Sequence, residues 1–307
     1  MFTPLLRRSS VLIATLLILT LVSETVEAEP PTQLKLITHN VWYGFTKRPD
    51  PRYEDWRAWM RSQAADVVCL QELNEYTPAK LASDGAAWSH PHSALLKQDG
   101  FPTGITSRFP IHNVKRIREG FHHGLLRCQI EGVWIFVIHF HPFNYARRIE
   151  EAALLADEIA ALPASPHDAA PRIVLAGDFN GFSPADKPTY DADPRLEAFF
   201  TRLDAKNPQA RNLNNGHLDY GGITAILAQG FVDLIASERG EGQFVGTFPA
   251  PLVAEEDHGT DRRLDYIFVS PSLQNAVTEA AILRDTTTEM LSDHIPVTAT
   301  IQLQAQP

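Results

Sequence analysis

Ile173-Val174-Leu175-Ala176-Gly177-Asp178-Phe179-Asn180 is a run of four apolar residues that passes through a glycine and ends on a carboxylate and an amide. A short, continuous apolar run suits a strand covered on both faces. Side chains two apart in an extended chain point the same way, so Asp178 and Asn180 are presented together. Asp, Asn and Gly also favour turns, and taken alone the stretch is equally well a strand end finished by turn residues. Four other segments repeat the arrangement. His39 and Asn40 finish the strand-like run 34–40, and Val67-Val68-Cys69-Leu70-Gln71-Glu72 ends on a carboxylate that apolar burial makes costly without a cation. Ile138-His139-Phe140-His141-Pro142 closes another apolar strand, Asp265 opens Leu264-Asp265-Tyr266-Ile267-Phe268, and Asp293-His294 precedes Ile295-Pro296-Val297.

Outward from these segments, strand and helix patterns alternate. Residues 53–65 read as a helix with Trp56, Trp59 and Met60 on one face, and 145–161 as a second with Ile149, Ala152, Leu155 and Ile159 in its stripe. Runs at 93–97, 104–107, 111–118, 125–131 and 133–140 are separated by Gly, Pro or short polar turns, the signature of antiparallel neighbours. Further strands fall at 172–176, 264–269, 275–283 and 295–302, with helical material at 218–229. Residues 183–215, rich in Pro, Asp and Asn, read as a long insertion or loop. Two mostly antiparallel sheets packed face to face with helices outside bury such strands on both faces.

The 307 residues are 44% hydrophobic and 21% charged, the balance of a globular chain. Residues 1–28 read as an export signal: Arg7 and Arg8, an apolar run at 11–22, and Val26-Glu27-Ala28 as a cleavage site. The run is shorter than a bilayer span, so a cleaved signal is preferred to a retained anchor, and no later segment reads as membrane-spanning. The expected organisation is therefore residues 1–28 removed and 29–307 as one domain, secreted or periplasmic, working as a monomer. Arg7 and Arg8 cancel Glu24 and Glu27, and the mature chain keeps the formal net charge of −10. That charge opposes long-range attraction to a nucleic-acid backbone. Cys69 and Cys128 sit in apolar runs and read as small core residues. A bridge between them needs Cβ atoms brought together, which sequence does not show.

Taken in order, the five polar strand ends resemble the motifs of the endonuclease/exonuclease/phosphatase superfamily, which includes deoxyribonuclease-like enzymes, apurinic endonucleases, inositol-polyphosphate phosphatases and neutral sphingomyelinases. The resemblance spans residues 34–301 or so. It implies an α/β four-layered sandwich and a metal-dependent hydrolase of phosphate esters. Glu72, Asn40 and Asp293 would hold Mg²⁺, with Mn²⁺ or Ca²⁺ as alternatives, because hard cations take oxygen ligands. Asp178 would orient or deprotonate the attacking water and Asn180 donate to a phosphate oxygen. His294 held by Asp265 matches the family's His-Asp pair, and His139 its second histidine. Ile138 departs from the threonine usual before that histidine, and His141 competes with His139 because it points to the same side. His122, His123, Arg147 and Arg148 rank lower, as solvated or surface groups. Thr247-Phe248-Pro249 reads as framework.

The substrate implied is a phosphate ester, small or lipid-derived in preference to long double-stranded DNA, because the paired arginines at 147–148 and 262–263 are too few to track a duplex. An exported nuclease is the nearest alternative. A non-catalytic binding protein on the same fold has no physical need for so many buried like charges. A zinc hydrolase using His139 and His141 leaves Glu72 and Asp293-His294 without a task.

Overall fold

The computed structural model describes residues 31–46, 50–163, 170–238 and 243–303. The stretch read as an export signal lies outside them. Two six-stranded sheets and one small hairpin carry the described strands, numbered here along the chain. The first sheet runs β13 (Val277–Ile282), β14 (Val297–Gln302), β1 (Gln33–Asn40), β2 (Val67–Gln71), β4 (Gly104–Ser107), β3 (His92–Leu95). The second runs β11 (Val232–Asp233), β12 (Asp265–Val269), β8 (Ile173–Asp178), β7 (Val133–His139), β6 (Leu125–Ile130), β5 (His112–Ile117). β9 (Leu213–Asn214) and β10 (His217–Leu218) form the hairpin.

Within the two large sheets the ladders are antiparallel except β1 with β2 and β7 with β8. A parallel pair needs a long crossover, and helices α1 (Arg52–Ser62) and α3 (Tyr145–Ala160) lie in those two connections. Helix α2 (Pro78–Ala87), not foreseen from the sequence, starts on a Thr77 side chain that accepts from the Lys80 N–H at 3.1 Å, with proline in its first turn.

Alternation along the strands sorts side chains into layers. Leu34 and Leu36 of β1, Val67 and Cys69 of β2, Ile135 and Val137 of β7, and Val174 and Ala176 of β8 share the core between the sheets. Their neighbours Ile37, Val68 and Leu70 turn outward onto Trp56, Trp59 and Met60 of α1. On the other side Phe136, Ile138, Ile173 and Leu175 meet Ala152 and Leu155 of α3 and Ile223 and Ile226 of α6 (Gly221–Leu227). Helix, sheet, sheet and helix make the expected four-layered α/β sandwich. Cys69 and Cys128 are buried free thiols in the inter-sheet core, and burial pushes the Cys128 thiol up to about 12.

Residues 183–215 correct the reading of a loop. They hold α4 (Lys187–Ala192) and α5 (Arg195–Lys206), and Leu196 and Phe200 join Phe182, Tyr190, Leu218, Phe248 and Leu264 in a core of their own. Three of their four prolines start helices instead of breaking them: Pro184 and Pro188 lie in first turns and Pro194 precedes α5, while Pro208 follows its end. The apolar spacing Leu196, Phe199, Phe200, Leu203 is helical, and the high Pro and Asp content masked it.

Candidate active site

The parity that builds the inter-sheet core also builds the site. His139 continues the inward series 135, 137; Asp178 continues 174, 176; Asp265 starts the series leading to Ile267 and Val269; Asn40 continues 34, 36. Register places His139 opposite Asp178 and Asp178 opposite Asp265, so three ionisable side chains lie abreast at the ends of β7, β8 and β12. Gly177 makes the β7–β8 approach possible, because a Cβ there would fall 2.0 Å from the Ile138 carbonyl oxygen. From the first sheet Asn40 reaches across, its Nδ2 donating to Asp178 Oδ2 at 3.1 Å and to Glu72 Oε1 at 3.3 Å.

Glu72 and Asn180 sit at positive φ, 57° and 48°, as do Trp42, Tyr43 and Phe45 in the turn after β1. Such strain in non-glycine residues gathers at functional sites. Here it aims the Tyr43 N–H at Glu72 Oε2, 2.9 Å away. Asn180 is fixed at both ends, its N–H donating to Asp178 Oδ1 at 2.8 Å and its Nδ2 to the Phe140 carbonyl at 3.0 Å.

Asp265 Oδ2 accepts from His294 Nδ1 at 2.8 Å, while His294 Nε2 stands 3.8 Å and His139 Nε2 3.6 Å from Asp178 Oδ2. Burial opposes charge on His294, yet Asp265 and Asp178 outweigh it and raise its pKa well above the ordinary value. Burial raises Asp178, with His294 pulling the other way. His139 is held neutral by burial, and its Nδ1, like Asp265 Oδ1, has no hydrogen-bond partner among the described residues. His39 braces the site from behind. Its Nδ1 accepts from Trp56 Nε1 and its Nε2 donates to the His294 carbonyl, both at 3.2 Å.

Two carboxylate groupings are candidates for a cation. Donor atoms of Asp178, Asp265 and His294 lie within 4.8 Å of one another. The hydrogen bonds already present occupy this grouping: His294 Nδ1 is committed to Asp265, and Asp178 accepts from Asn40 and from the Asn180 N–H. Glu72 and Asp293 fit better: both line the cleft, and Asp293 is raised to about 6 by burial and by the Glu72 charge beside it. An oxygen-rich pair that repels itself suits a hard cation. Asn40 turns its amide nitrogen toward the carboxylates and its Oδ1 to the Trp42 N–H at 3.1 Å. Its oxygen would face a cation only after the amide turns over.

Glu72, His139, Asp178, Asn180, Asp293 and His294 line one cleft of about 390 Å³, while Asn40, Asp265 and His39 stand behind its wall. Sequence reasoning underrated several of its walls. His123 is buried, not solvated, and stacks on His139 with centroids 3.9 Å apart. Arg148 is buried and lines the cleft, whereas Arg147 is half-exposed and pairs with Glu150. Phe248 is more than framework, because its ring lies 4.6 Å from the His294 ring. His141 lies at a rim position, its Nδ1 accepting from the Phe143 N–H, and is not among the cleft-lining residues. The helical spacing in α5 was the available signal for the wall that Phe199, Phe200 and Leu203 supply.

Facing sheets whose polar strand ends meet at a cleft of carboxylates, imidazoles and amides define a hydrolytic site for charged esters. Comparison with known proteins says which. The profile described as the Endonuclease/Exonuclease/phosphatase family matches residues 37–294, and the chain belongs to that family, whose members are metal-dependent hydrolases of phosphate esters. An exodeoxyribonuclease of Bacillus subtilis (strain 168) is 24% identical over 289 residues, covering 88% of this chain and 100% of the relative. The fold is similar to that of an AP endonuclease from Archaeoglobus fulgidus, with TM-score 0.62, 18% identity and coverage of 88% and 100%. It is also similar to a 3′-5′ exonuclease from Neisseria meningitidis, with TM-score 0.59, 20% identity and the same coverages.

Proposed function

We propose that this chain is an exported, metal-dependent phosphoesterase acting on small or lipid-derived phosphate esters. The observation that carries the chemistry is the meeting of the Glu72–Asp293 pair with the Asp178, His139 and His294 group in one cleft. A hard divalent cation held by Glu72 and Asp293, Mg²⁺ first with Mn²⁺ or Ca²⁺ as alternatives, would neutralise charge on the phosphoryl oxygens. Asp178, fixed by Asn40 and by the Asn180 N–H, orients the attacking water and accepts its proton. His294, kept as imidazolium by Asp265, and Asn180 face the phosphoryl oxygens as donors. Neutral His139 adds a further donor at Nε2.

The substrate preference rests on the lining. Besides the His294 imidazolium, Arg148 and Arg262 are the cationic side chains in the cleft wall among the described residues, and both are buried. A duplex binder needs several cations spread along an exposed groove. Phe182, Phe199, Phe200 and Phe248 instead offer apolar surface to an ester substituent. Export is supported by the leader read at residues 1–28. The exodeoxyribonuclease relative favours nuclease activity as the second reading.

A panel of a small aryl phosphodiester, a phospholipid-headgroup analogue, an oligonucleotide and a plasmid, each assayed with Mg²⁺, Mn²⁺ and Ca²⁺, tests this. Hydrolysis of a small ester should vanish with chelator, and Asp178→Asn, His294→Ala and Glu72→Gln should each lower kcat by about 100-fold or more. Full activity in excess chelator sinks the metal assignment, and efficient plasmid cleavage with negligible turnover of the small esters makes the chain a nuclease.

A further inference from the structure

Arg262 and Arg263 are adjacent in sequence and opposite in fate. Arg263 is fully buried and fully paired, Nε donating to Asp186 Oδ2 at 2.9 Å and its two Nη atoms to the Asp233 carboxylate at 2.6 and 2.7 Å. Arg262 is 5% exposed and, among the described residues, has no carboxylate within ion-pair distance. Its Nη1 donates to the Thr260 carbonyl at 3.0 Å and its Nε is buried without an acceptor. The guanidinium lies over Phe248 at 4.6 Å, Phe200 at 5.3 Å and Phe199 at 5.9 Å. Ring faces attract the cation but accept no in-plane hydrogen bond, so much of the donor fork stays unused. Burial lowers Arg262 to about 10, which still leaves it charged at neutral pH.

A buried, charged and under-bonded guanidinium on the wall of a substrate cleft is complementary to an anion. That anion is distinct from the phosphoryl group at Asp178, because among the described residues no hydrogen bond or ion pair joins Arg262 to Asp178, Asp265 or His294; the Phe248 ring touches both groups, 4.6 Å from the His294 ring and 4.6 Å from the Arg262 guanidinium. Asp257 and His258 also line the cleft, but neither forms an ion pair with Arg262 among the described residues. We propose that Arg262, on its floor of Phe199, Phe200 and Phe248, is a subsite for a second phosphate carried by the same substrate molecule. This rests on the reading of the Asp178–His294 centre as the place where the first phosphate reacts. A second phosphate comes either from a nucleotide or from a non-nucleotide bisphosphate.

The test is equilibrium binding to the Asp178→Asn chain, whose turnover should be slow enough for binding to be read before hydrolysis. A nucleoside bisphosphate and an alkanediol bisphosphate are each titrated beside their monophosphates. At least one bisphosphate should bind about 10- to 100-fold more tightly than its monophosphate, the scale of a charge-assisted contact. Adding Arg262→Met should close that gap, and Arg262→Lys should keep part of it. Which bisphosphate shows the gap identifies the source. Methionine keeps the contact with the rings, so the melting temperature of Arg262→Met should equal or exceed that of its parent. No gap in either pair, or a gap that survives Arg262→Met, overturns the proposal. So does a clear fall in melting temperature with the gap intact, which assigns Arg262 to the fold. Failure of the phosphoesterase reading appears elsewhere, as wild-type chain that hydrolyses no phosphate ester with any divalent cation.

Discussion

His123 illustrates how one side chain acquires a charge state from its neighbours. It stacks on the ring of His139 and meets that of Phe101 at a tilt, with His122, His141 and Lys97 nearby, and burial first, then those charges, lowers its pKa from 6.5 to about 3. The unfolded chain binds a proton as pH falls through about 6.5 while the folded chain does not until about 3. The stabilisation from keeping His123 neutral is thus present above pH 6.5 and lost progressively as pH falls toward 3. His123→Phe keeps a ring in the stack and removes the proton site. The variant should gain roughly 2 kcal/mol at about pH 4.5 relative to its difference from wild type at about pH 7, read from denaturant melts at both values. A difference that does not change with pH means His123 titrates as an ordinary solvated imidazole. The same sign holds for His39, lowered to about 3 and tied between Trp56 and the His294 carbonyl, so acid loosens the site from both sides.

Among elements, the start of β12 matters most, because it delivers Asp265 to His294. Arg263 anchors it to the turn at Pro184–Asp186 and to β11 through the two buried carboxylates already described. Removing one partner of a buried ion network leaves the others unpaired in a medium that solvates them poorly. Arg263→Ala should therefore cost about 3–5 kcal/mol, measured by denaturant unfolding. It should also loosen the Asp265–His294 contact. A loss below about 1 kcal/mol would show that Asp186 and Asp233 find water or protonate at little cost. On the other flank α3 is held by Asn144, whose side chain accepts from the N–H groups of Ala146 and Arg147, and this cap fixes where Arg148 enters the cleft.

At the scale of the whole molecule the formal net charge of −10 sets the sign of the salt effect. An anionic small ester is repelled on approach, so added salt should leave kcat/KM flat or raise it a few-fold between about 50 and 300 mM, by screening. A duplex substrate would show a steep fall with salt, by counterion release, and that result would favour the nuclease reading. The sequence by itself determined the layers and the strand ends. Alternation along β1, β2, β7, β8 and β12 puts every second residue on one face, so Asn40, His139, Asp178 and Asp265 each follow the parity of their strand, but both faces of these strands are buried and the tertiary structure decided which parity meets the other sheet. Helix α2 and the helices at 187–206 were less legible, because proline and small polar residues look alike in a loop and in a first turn. Only the tertiary structure decided among chemically identical residues. His123 differs from His122, Arg148 from Arg147 and Arg262 from Arg263 through partners far away in the chain. Asp186 and Asp233 lie 77 and 30 residues from the arginine they neutralise, and among the described residues no carboxylate pairs with its neighbour Arg262. Local pattern fixes the direction of a side chain, whereas its charge, burial and use depend on what the fold brings to meet it.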